Sequence, residues 1–402
     1  MRSILPVILC GGVGSRIRPI SEDQYPKQFL SLVSNFSLLQ DTIKRMHNTD
    51  DVSFLDPVLI CNKKHRSIVK SQLDEINMKH NGIILEPMGK NTAPAASIGA
   101  LHANNIFKKN NVQIMLLPSD HFIKNNSNFL RVISFASKFL LEINQIILFG
   151  IKPDSAHTGY GYIELGEAHH TSGDFQSFQI KVFKEKPTKK RAEEYLKSGN
   201  FLWNSGMFLF NSMTYLKLLK RLAPKIYSST KMSYLNAHND SDFCWLDEVS
   251  FSSSPADSID YALMEKSDSP GLFDSLQDGN YPIVFPMHDI GWNDIGSWSS
   301  LWHILDENRG SEKTLKISNK TKEFSLKRHK ITDKKDINRN KSDYFSTHWI
   351  VVKGGAKIIS DKEIMMIEEN ESIEIPNKKS FIIENSQKDE LEIIECSYSI
   401  LH

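Results

Sequence analysis

Residues 4–16 read ILPVILCGGVGSR, an apolar stretch that runs directly into a glycine-rich loop. An unbroken apolar run of this length predicts a strand buried on both faces, over Ile4–Leu9. Gly11, Gly12 and Gly14 allow a sharp turn in which successive backbone N–H groups approach a polyphosphate. Arg16 adds a planar, permanently charged donor. The stretch therefore predicts a phosphate-binding loop at the end of a buried strand.

The alternation of apolar and amphipathic segments continues through the first 150 residues. Strands are predicted over Ile4–Leu9, Val58–Cys61, Ile83–Leu85, Gln113–Leu117 and Ile146–Gly150. Helices are predicted over Ser37–Met46, His65–Met78, Thr92–Phe107 and Asn128–Leu140. Short apolar strands separated by helices of this length indicate βαβ crossovers and an α/β sheet covered on both faces. Ligands of such sheets bind outside the carboxyl ends of the strands.

The pattern changes character three times after residue 150. Residues 159–210 are typical of irregular β-structure, and residues 212–265 are predicted to be mostly helical. Between Lys313 and Lys341 there are eleven Lys or Arg against three Asp or Glu, which favours a solvated linker. Apolar alternation after Tyr344 predicts a small β-domain. We therefore expect a large domain over residues 1–305, a basic linker over 306–343 and a β-domain over 344–402.

The composition of the chain, and its mismatch with two common phosphate-loop patterns, exclude several classes of function. The formal net charge of +1 provides no global field for nucleic acid or an anionic membrane. The scattered cysteines and the short N-terminal apolar run indicate a soluble cytoplasmic protein without a signal peptide. A dinucleotide fingerprint would need glycine at position 17, which is Ile17, and the ATPase loop would need a closing Gly-Lys-Ser/Thr.

Two acids occupy positions typical of ligand-binding loops. Asp120 follows the apolar run IMLLP, and Asp294 lies between two glycines in GWNDIG. Converging carboxylates suit a hard cation such as Mg²⁺, which takes its remaining ligands from water and substrate phosphates. Lys27 provides a second cation near the glycine loop. Taken singly, each Asp is more typical of a cap or a turn than of a metal ligand.

Longer motifs resemble one enzyme family. The run CGGVGSRIRPISEDQYPKQFL is similar to the signature of sugar nucleotidyltransferases, and YPKQFL resembles the mannose-1-phosphate guanylyltransferases among them. EPMGKNTAPAASIGAL, LLPSDH, FKEKP, LWNSGMFLF, SIDYALMEKS and DIGWNDIGSW follow in the family order. The resemblance implies a Rossmann-like, doubly wound mixed sheet in the nucleotidyltransferase domain. It also implies a small C-terminal β-domain that resembles part of a cupin-like phosphomannose isomerase domain.

The resemblance implies an activity and a role for each matched position. The substrates would be GTP and mannose 1-phosphate, the cofactor Mg²⁺, and the products GDP-mannose and pyrophosphate. The triphosphate would be bound by Gly11, Gly12, Gly14 and Arg16, with Lys27 near the transferred phosphate. The binding site for the nucleotide base and ribose would be lined by Glu86, Asn91 and Thr92. Mg²⁺ would be bound by Asp120 and Asp294. The sugar would be contacted by Gly161, Glu185 and Asn204, and its phosphate by Lys186.

The chain also departs from the family pattern. Arg18 stands where relatives usually have Trp, and Glu22 stands where they often have Arg. The isomerase pattern requires a Gln-x-His-x-His group just upstream, an acid before His348 and a later His. Residues 336–345 lack the first group, Thr347 stands in place of the acid, and residues 377–381 contain no His, so we predict no isomerase activity. Three alternatives stay open: another sugar 1-phosphate, another nucleoside triphosphate, or a non-catalytic regulatory relative. We expect a homo-oligomer, with a dimer favoured, and neither nucleic-acid nor membrane partners.

Overall fold

The chain divides into two units that interleave along the sequence. The computed structural model describes residues 2–12, 14–108, 112–141, 143, 145–268, 282–309, 314–318, 322–332, 334–338, 346–360, 363–375, 380–387 and 390–401. The first unit comprises Met1–Gly11, Thr42–Ser119 and Ile123–Trp292. The second unit comprises Gly12–Asp41, Asp120–Phe122 and Asn293–His402.

A large mixed sheet forms the centre of the first unit. Up to residue 293, the strands are β1 (Arg2–Cys10), β2 (Val52–Phe54), β3 (Val58–Asn62), β4 (Gly82–Glu86), β5 (Gln113–Pro118), β6 (Phe122–Ile123), β7 (Ile147–Ile151), β8 (Tyr162–Ser172), β9 (Phe175–Lys184), β10 (Phe201–Asn211), β11 (His238–Asn239), β12 (Phe243–Trp245), β13 (Ile283–Pro286) and β14 (Trp292–Asn293). The sheet order is β11-β12-β4-β3-β1-β5-β10-β7-β13-β9-β8, and β2 also pairs with β1. Strands β12, β4, β3, β1 and β5 run parallel, whereas β10 runs antiparallel to both β5 and β7.

Helices connect these strands and confirm the predicted α/β class. They are α1 (Leu38–Arg45), α2 (Arg66–Glu75), α3 (Thr92–Phe107), α4 (Asn126–Leu140), α5 (Lys189–Ser198), α6 (Ser212–Leu222), α7 (Pro224–Leu235), α8 (Glu248–Ser252) and α9 (Trp298–Arg309). The four helices predicted before residue 150 are all present. The stretch 212–265, predicted as mostly helical, contains α6, α7 and α8 and also the two short strands β11 and β12. Strand β12 is too short for a periodic signal, and its pairing with β4 is a tertiary contact.

The parallel register places several predicted site residues along one edge of the sheet. Leu9 of β1 lies opposite Ile60 of β3 and Pro118 of β5. The loops that follow these strands therefore leave the sheet at the same edge. Glu86 ends β4 at this edge, in register with Asn62. This is the edge at which parallel α/β sheets bind ligands.

The β-domain of the second unit begins earlier than predicted. Its strands are β15 (Thr314–Ser318), β16 (Lys322–Ile331), β17 (Lys334–Asn338), β18 (Ser346–Lys353), β19 (Ala356–Ser360), β20 (Glu363–Ile367), β21 (Ser372–Glu374), β22 (Ser380–Asn385) and β23 (Leu391–Ile400). They form a five-stranded sheet in the order β15-β16-β23-β18-β21 and a four-stranded sheet in the order β17-β22-β19-β20. Trp349, Val351 and Phe381 are buried in one apolar cluster of this domain.

The prediction of a linker over residues 306–343 was wrong for the part that the structure describes. Strand β16 pairs with β23 from Lys322↔Ile400 to Ile331↔Leu391. Phe324 and Leu326 are fully buried, while Lys327 and Lys330 are exposed or partly exposed. Lys327 and Lys330 thus lie on the solvent side of β16, where they mask its apolar alternation in the sequence. The predicted β-domain boundary at residue 344 moves accordingly to Thr314.

Candidate active site

The glycine loop of the second unit adopts backbone conformations that favour glycine. Gly12 and Gly14 have φ angles of 82° and 66°. A Cβ on Gly14 would lie 2.6 Å from Lys27 Cβ, so no larger residue fits there without a shift. Ser21 Oγ donates to Gly14 O at 2.5 Å, and Gln28 Nε2 donates to Gly12 O at 3.2 Å. These bonds fix the loop from its C-terminal side. Val13 lies outside the described residues.

Lys27 connects the two predicted metal-binding segments. Its side chain is only 6% exposed, and its Nζ lies 2.9 Å from Asp120 Oδ2. Nζ also donates to the main-chain oxygens of Asp294 at 2.6 Å and Ile295 at 3.2 Å. An ammonium has three hydrogens, and these protein acceptors match all of them. The structure therefore brings Lys27, Asp120 and Asp294 together, with Lys27 tying the two loops to each other.

The same lysine affects the charge of Asp120. Burial acts to raise the pKa of Asp120, but the charges of Lys27 and His121 and the hydrogen bonds to the carboxylate outweigh it. The pKa of Asp120 is therefore lower than usual, and the carboxylate is ionised at neutral pH. Asp294 Oδ1 accepts a hydrogen bond from Gly296 N at 3.0 Å, which fixes that carboxylate on its own turn.

Two other predicted residues of the loop lie at the protein surface. Arg16 is exposed on the short 3₁₀ turn Ser15–Ile17. Gly11 belongs to the first unit, and a Cβ added to it would meet nothing within 4 Å. The open space at Gly11 leaves its backbone accessible to a ligand.

The predicted sugar-binding residues are clustered in the first unit. Glu185 Oε1 lies 3.4 Å from Lys186 Nζ. A Cβ on Gly161 would lie 2.5 Å from Glu185 Oε2, so this close approach requires glycine. Asn204 N donates to Gly161 O at 2.8 Å, and Lys186 N donates to Tyr160 O at 3.2 Å. The structure therefore brings Gly161, Glu185, Lys186 and Asn204 into one group.

Two further acids belong to this group and were not predicted. Asn204 Nδ2 donates to Asp260 Oδ1 at 2.8 Å, and Glu185 N donates to Glu265 Oε1 at 3.0 Å. Burial raises the pKa of Glu185 to about 7, Asp260 and Glu265 add to this rise, and Lys186 opposes it. Both acids lie in the motif SIDYALMEKS, which contributed to the family resemblance without suggesting a role for either.

The predicted nucleotide segment also lies in the first unit, between β4 and α3. Glu86 is 8% exposed, and burial raises its pKa to about 8. Within the described residues its Oε1 has no hydrogen-bond partner. Asn91 Oδ1 caps α3 by accepting from Thr92 N at 2.8 Å, and Thr92 Oγ1 accepts from Ile259 N at 3.0 Å. Thr92 therefore links this segment to the residue that precedes Asp260.

Comparison with known proteins shows the family of the chain. The nucleotidyl transferase family model matches residues 5–311, and the mannose-6-phosphate isomerase C-terminal model matches residues 310–400. The fold and the first of these matches define a nucleotidyltransferase. A mannose-1-phosphate guanylyltransferase of Salmonella montevideo is 34% identical over 98% of this chain and 95% of its own length. The chain belongs to the mannose-1-phosphate guanylyltransferase family.

Two solved structures extend the comparison. One is described as a mannose-1-phosphate geranyltransferase from Thermus thermophilus; it has a TM-score of 0.60 at 24% identity and covers 78% of this chain and 81% of that one. The other, a mannose-6-phosphate isomerase from Helicobacter pylori, has a TM-score of 0.57 at 27% identity, and the match covers 72% of this chain and 99% of that one. In the described part of the chain, no helix combines the length and apolarity that a membrane span requires.

Proposed function

We propose that this protein transfers GMP from GTP to α-D-mannose 1-phosphate, giving GDP-mannose and pyrophosphate. The names of its relatives support this pair of substrates. The observation that carries the proposal is the Lys27 ammonium, which holds an ionised Asp120 beside the backbone of Asp294. Phosphoryl chemistry depends on such positioning and charge stabilisation more than on covalent intermediates.

The reaction is an in-line displacement at phosphorus. A phosphate oxygen of mannose 1-phosphate attacks the α-phosphorus of GTP, and the bond between the α-phosphorus and the bridging oxygen breaks as pyrophosphate leaves. The attacking sugar phosphate is already an anion near neutral pH, so no general base is required. We assign binding of the triphosphate to Gly11, Gly12, Gly14 and Arg16. Lys27 then acts mainly by fixing the acidic loops, because its hydrogens are matched by protein acceptors.

Asp120 and Asp294 fit a magnesium site. Both offer carboxylate oxygens, the preferred ligands of this hard cation, and the low pKa of Asp120 keeps that group ionised. The site that we propose has two carboxylates, and no group of three or more His, Cys, Asp and Glu that could hold a metal is found among the described residues. Mg²⁺ commonly binds to one or two protein carboxylates with water and substrate phosphates. When bound, it would offset negative charge on the phosphates.

Glu86 is the residue that we assign to base selection. Its buried carboxyl has an oxygen without a partner in the described part of the chain, at the carboxyl end of β4. Guanine presents two adjacent N–H donors on one edge, and a carboxylate accepts both. Adenine presents one donor beside an acceptor, which a carboxylate does not match. Because the pKa of Glu86 is raised to about 8, its carboxyl must lose a proton to accept both bonds. We therefore expect GTP binding to release a proton near neutral pH.

The sugar phosphate is assigned to the group around Glu185. Asn204 and Glu185 provide hydrogen bonds to ring hydroxyls, and Lys186 provides a positive charge for the phosphate. Gly161 leaves the space that the Glu185 carboxyl occupies. The same set of groups is compatible with a related hexose 1-phosphate, so the choice of mannose 1-phosphate as the acceptor is based on the names of the relatives.

The test is pyrophosphate release over a grid of nucleoside triphosphates and sugar 1-phosphates, with and without Mg²⁺. GTP with mannose 1-phosphate should give the highest kcat/KM. Asp120→Asn and Asp294→Asn should abolish turnover while the protein stays folded. Asp174→Asn is the matched control, because its carboxylate is 90% exposed and lies outside these groups. Near-normal turnover of either variant at saturating Mg²⁺ would refute the metal assignment, and preference for another pair would refute the substrate assignment.

A further inference from the structure

The amide of Asn204 has one orientation that satisfies its neighbours. Its Nδ2 donates to Asp260 Oδ1 at 2.8 Å, and its Oδ1 accepts from Gly206 N at 3.2 Å. A flipped amide would direct its oxygen at the Asp260 carboxylate and its NH₂ group at the N–H of Gly206. Asp260 therefore determines which atoms Asn204 can offer to a ligand.

Asp260 also provides a negative charge beside Glu185. The charged and titratable groups that act on Glu185 are Lys186, Asp260 and Glu265, and the nearby Tyr261 has its pKa raised first by burial and then by these acids. Lys186 favours the carboxylate form of Glu185, and the two acids oppose it. Asp260 is itself partly buried, and burial raises its pKa.

We propose that Asp260 is a positioning residue for the acceptor: it holds the Asn204 amide and the Glu185 carboxyl in the states that bind the ring hydroxyls of a pyranose 1-phosphate. The inference rests on the proposed function for the identity of that ligand. The Asn204 NH₂ group donates one hydrogen to Asp260, and its second hydrogen can be donated to a hydroxyl oxygen of the sugar. A carboxyl that titrates near neutral pH can either donate to a hydroxyl or accept from one. Asp260 itself need not touch the substrate.

Kinetics separate this role from a purely structural one. Asp260→Ala should raise the KM for mannose 1-phosphate about tenfold, the loss expected for one charge-assisted hydrogen bond. The KM for GTP should stay within about twofold of the wild type. Asn204→Ala should raise this KM at least as much. The effects of the two substitutions should be less than additive in the double variant, because Asp260 acts partly through Asn204. Asp257→Asn is the control, since that carboxylate accepts from Ser258 N instead.

A second measurement needs no substrate. Asp260→Asn keeps the shape of the side chain and removes its charge, so the Glu185 carboxyl, followed by ¹³C NMR, should titrate at lower pH than its wild-type value of about 7. If the wild-type enzyme used a different sugar phosphate, the proposed function would fail while this titration remained informative. An unchanged Glu185 titration, or additive effects of Asn204→Ala and Asp260→Ala, would overturn the role of Asp260. Thermal unfolding of each variant separates misfolding from either result.

Discussion

Replacing Lys27 by Met tests the central contact of the second unit. Met keeps most of the apolar stem that packs against Gly14 and removes only the ammonium. Asp120 then loses its partner while remaining 27% exposed on its side chain. Removal of one member of a buried ion pair costs about 3–5 kcal/mol, and the partial exposure of Asp120 favours the lower end, about 3 kcal/mol. If the contact is needed in the transition state, that value corresponds to roughly a hundredfold loss in kcat/KM.

The pH dependence gives the same substitution a second readout. Without Lys27, the largest of the influences that lower the pKa of Asp120 is lost, so that pKa should rise. Activity that requires the Asp120 carboxylate should then begin at higher pH, and its acid limb should move upward. Pyrophosphate release with GTP and mannose 1-phosphate across pH and Mg²⁺ concentration measures both effects. Lys27→Arg is the control, because it keeps the charge. Wild-type turnover of Lys27→Met with an unmoved acid limb would refute this reasoning.

Two further predictions concern Glu86 and the β-domain. The pKa of Glu86 is about 8 in the folded protein and near 4.5 in an exposed chain, so the folded state binds the extra proton and loses stability as pH rises between these values. Glu86→Gln should therefore unfold at a higher temperature than the wild type at pH 8 and at nearly the same temperature at pH 4.5, while its preference for GTP over ATP decreases. The β-domain should have no isomerase activity: formation of fructose 6-phosphate from mannose 6-phosphate should stay at background with added Zn²⁺, Co²⁺ or Mn²⁺.

Each of these has a control and a contradicting result. For Glu86 the control is Glu193→Gln on the exposed side of α5, and a pH-independent difference in unfolding temperature would contradict the buried, protonated carboxyl. For the β-domain, an authentic mannose-6-phosphate isomerase provides the positive control. The isomerase pattern has an acid before His348, where Thr347 is buried and shares a 2.7 Å hydrogen bond with Ser397. Metal-dependent product formation would show that other ligands replace the missing acid. The predicted upstream and downstream ligand positions lie mostly outside the described residues.

The sequence was most informative where one signal dominated. Buried strands such as Gln113–Pro118 are continuous apolar runs, and Thr92–Phe107 begins at an Asn cap, so both could be located from local patterns. It failed at β16, where basic residues on the solvent side hid the buried Phe324 and Leu326. Charge density and strand alternation gave opposite indications there, and tertiary pairing with β23 decided the outcome.

The candidate site, too, was predicted where local motifs carry the information and missed where distant contacts do. The family motifs suggested Glu185 and Asn204 as sugar-binding residues, and the structure places these two residues in one group with Gly161. They did not identify Asp260, because its effect depends on a contact across 56 residues of sequence. Nor could they show that the ammonium of Lys27 is taken up by protein oxygens, since those acceptors lie far away along the chain, the Asp294 oxygen 267 residues from Lys27.

The position of β23 has a consequence for how the protein is made. This strand lies between β16 and β18 in the five-stranded sheet, so it joins the β15–β16 pair to the β18–β21 pair. The ribosome delivers all four of those strands before β23. Until then, β16 and β18 each expose an unpaired edge, the feature through which nascent chains associate wrongly. Synthesis therefore includes an interval in which the β-domain is vulnerable to aggregation. This interval ends only when β23 enters the middle of the sheet.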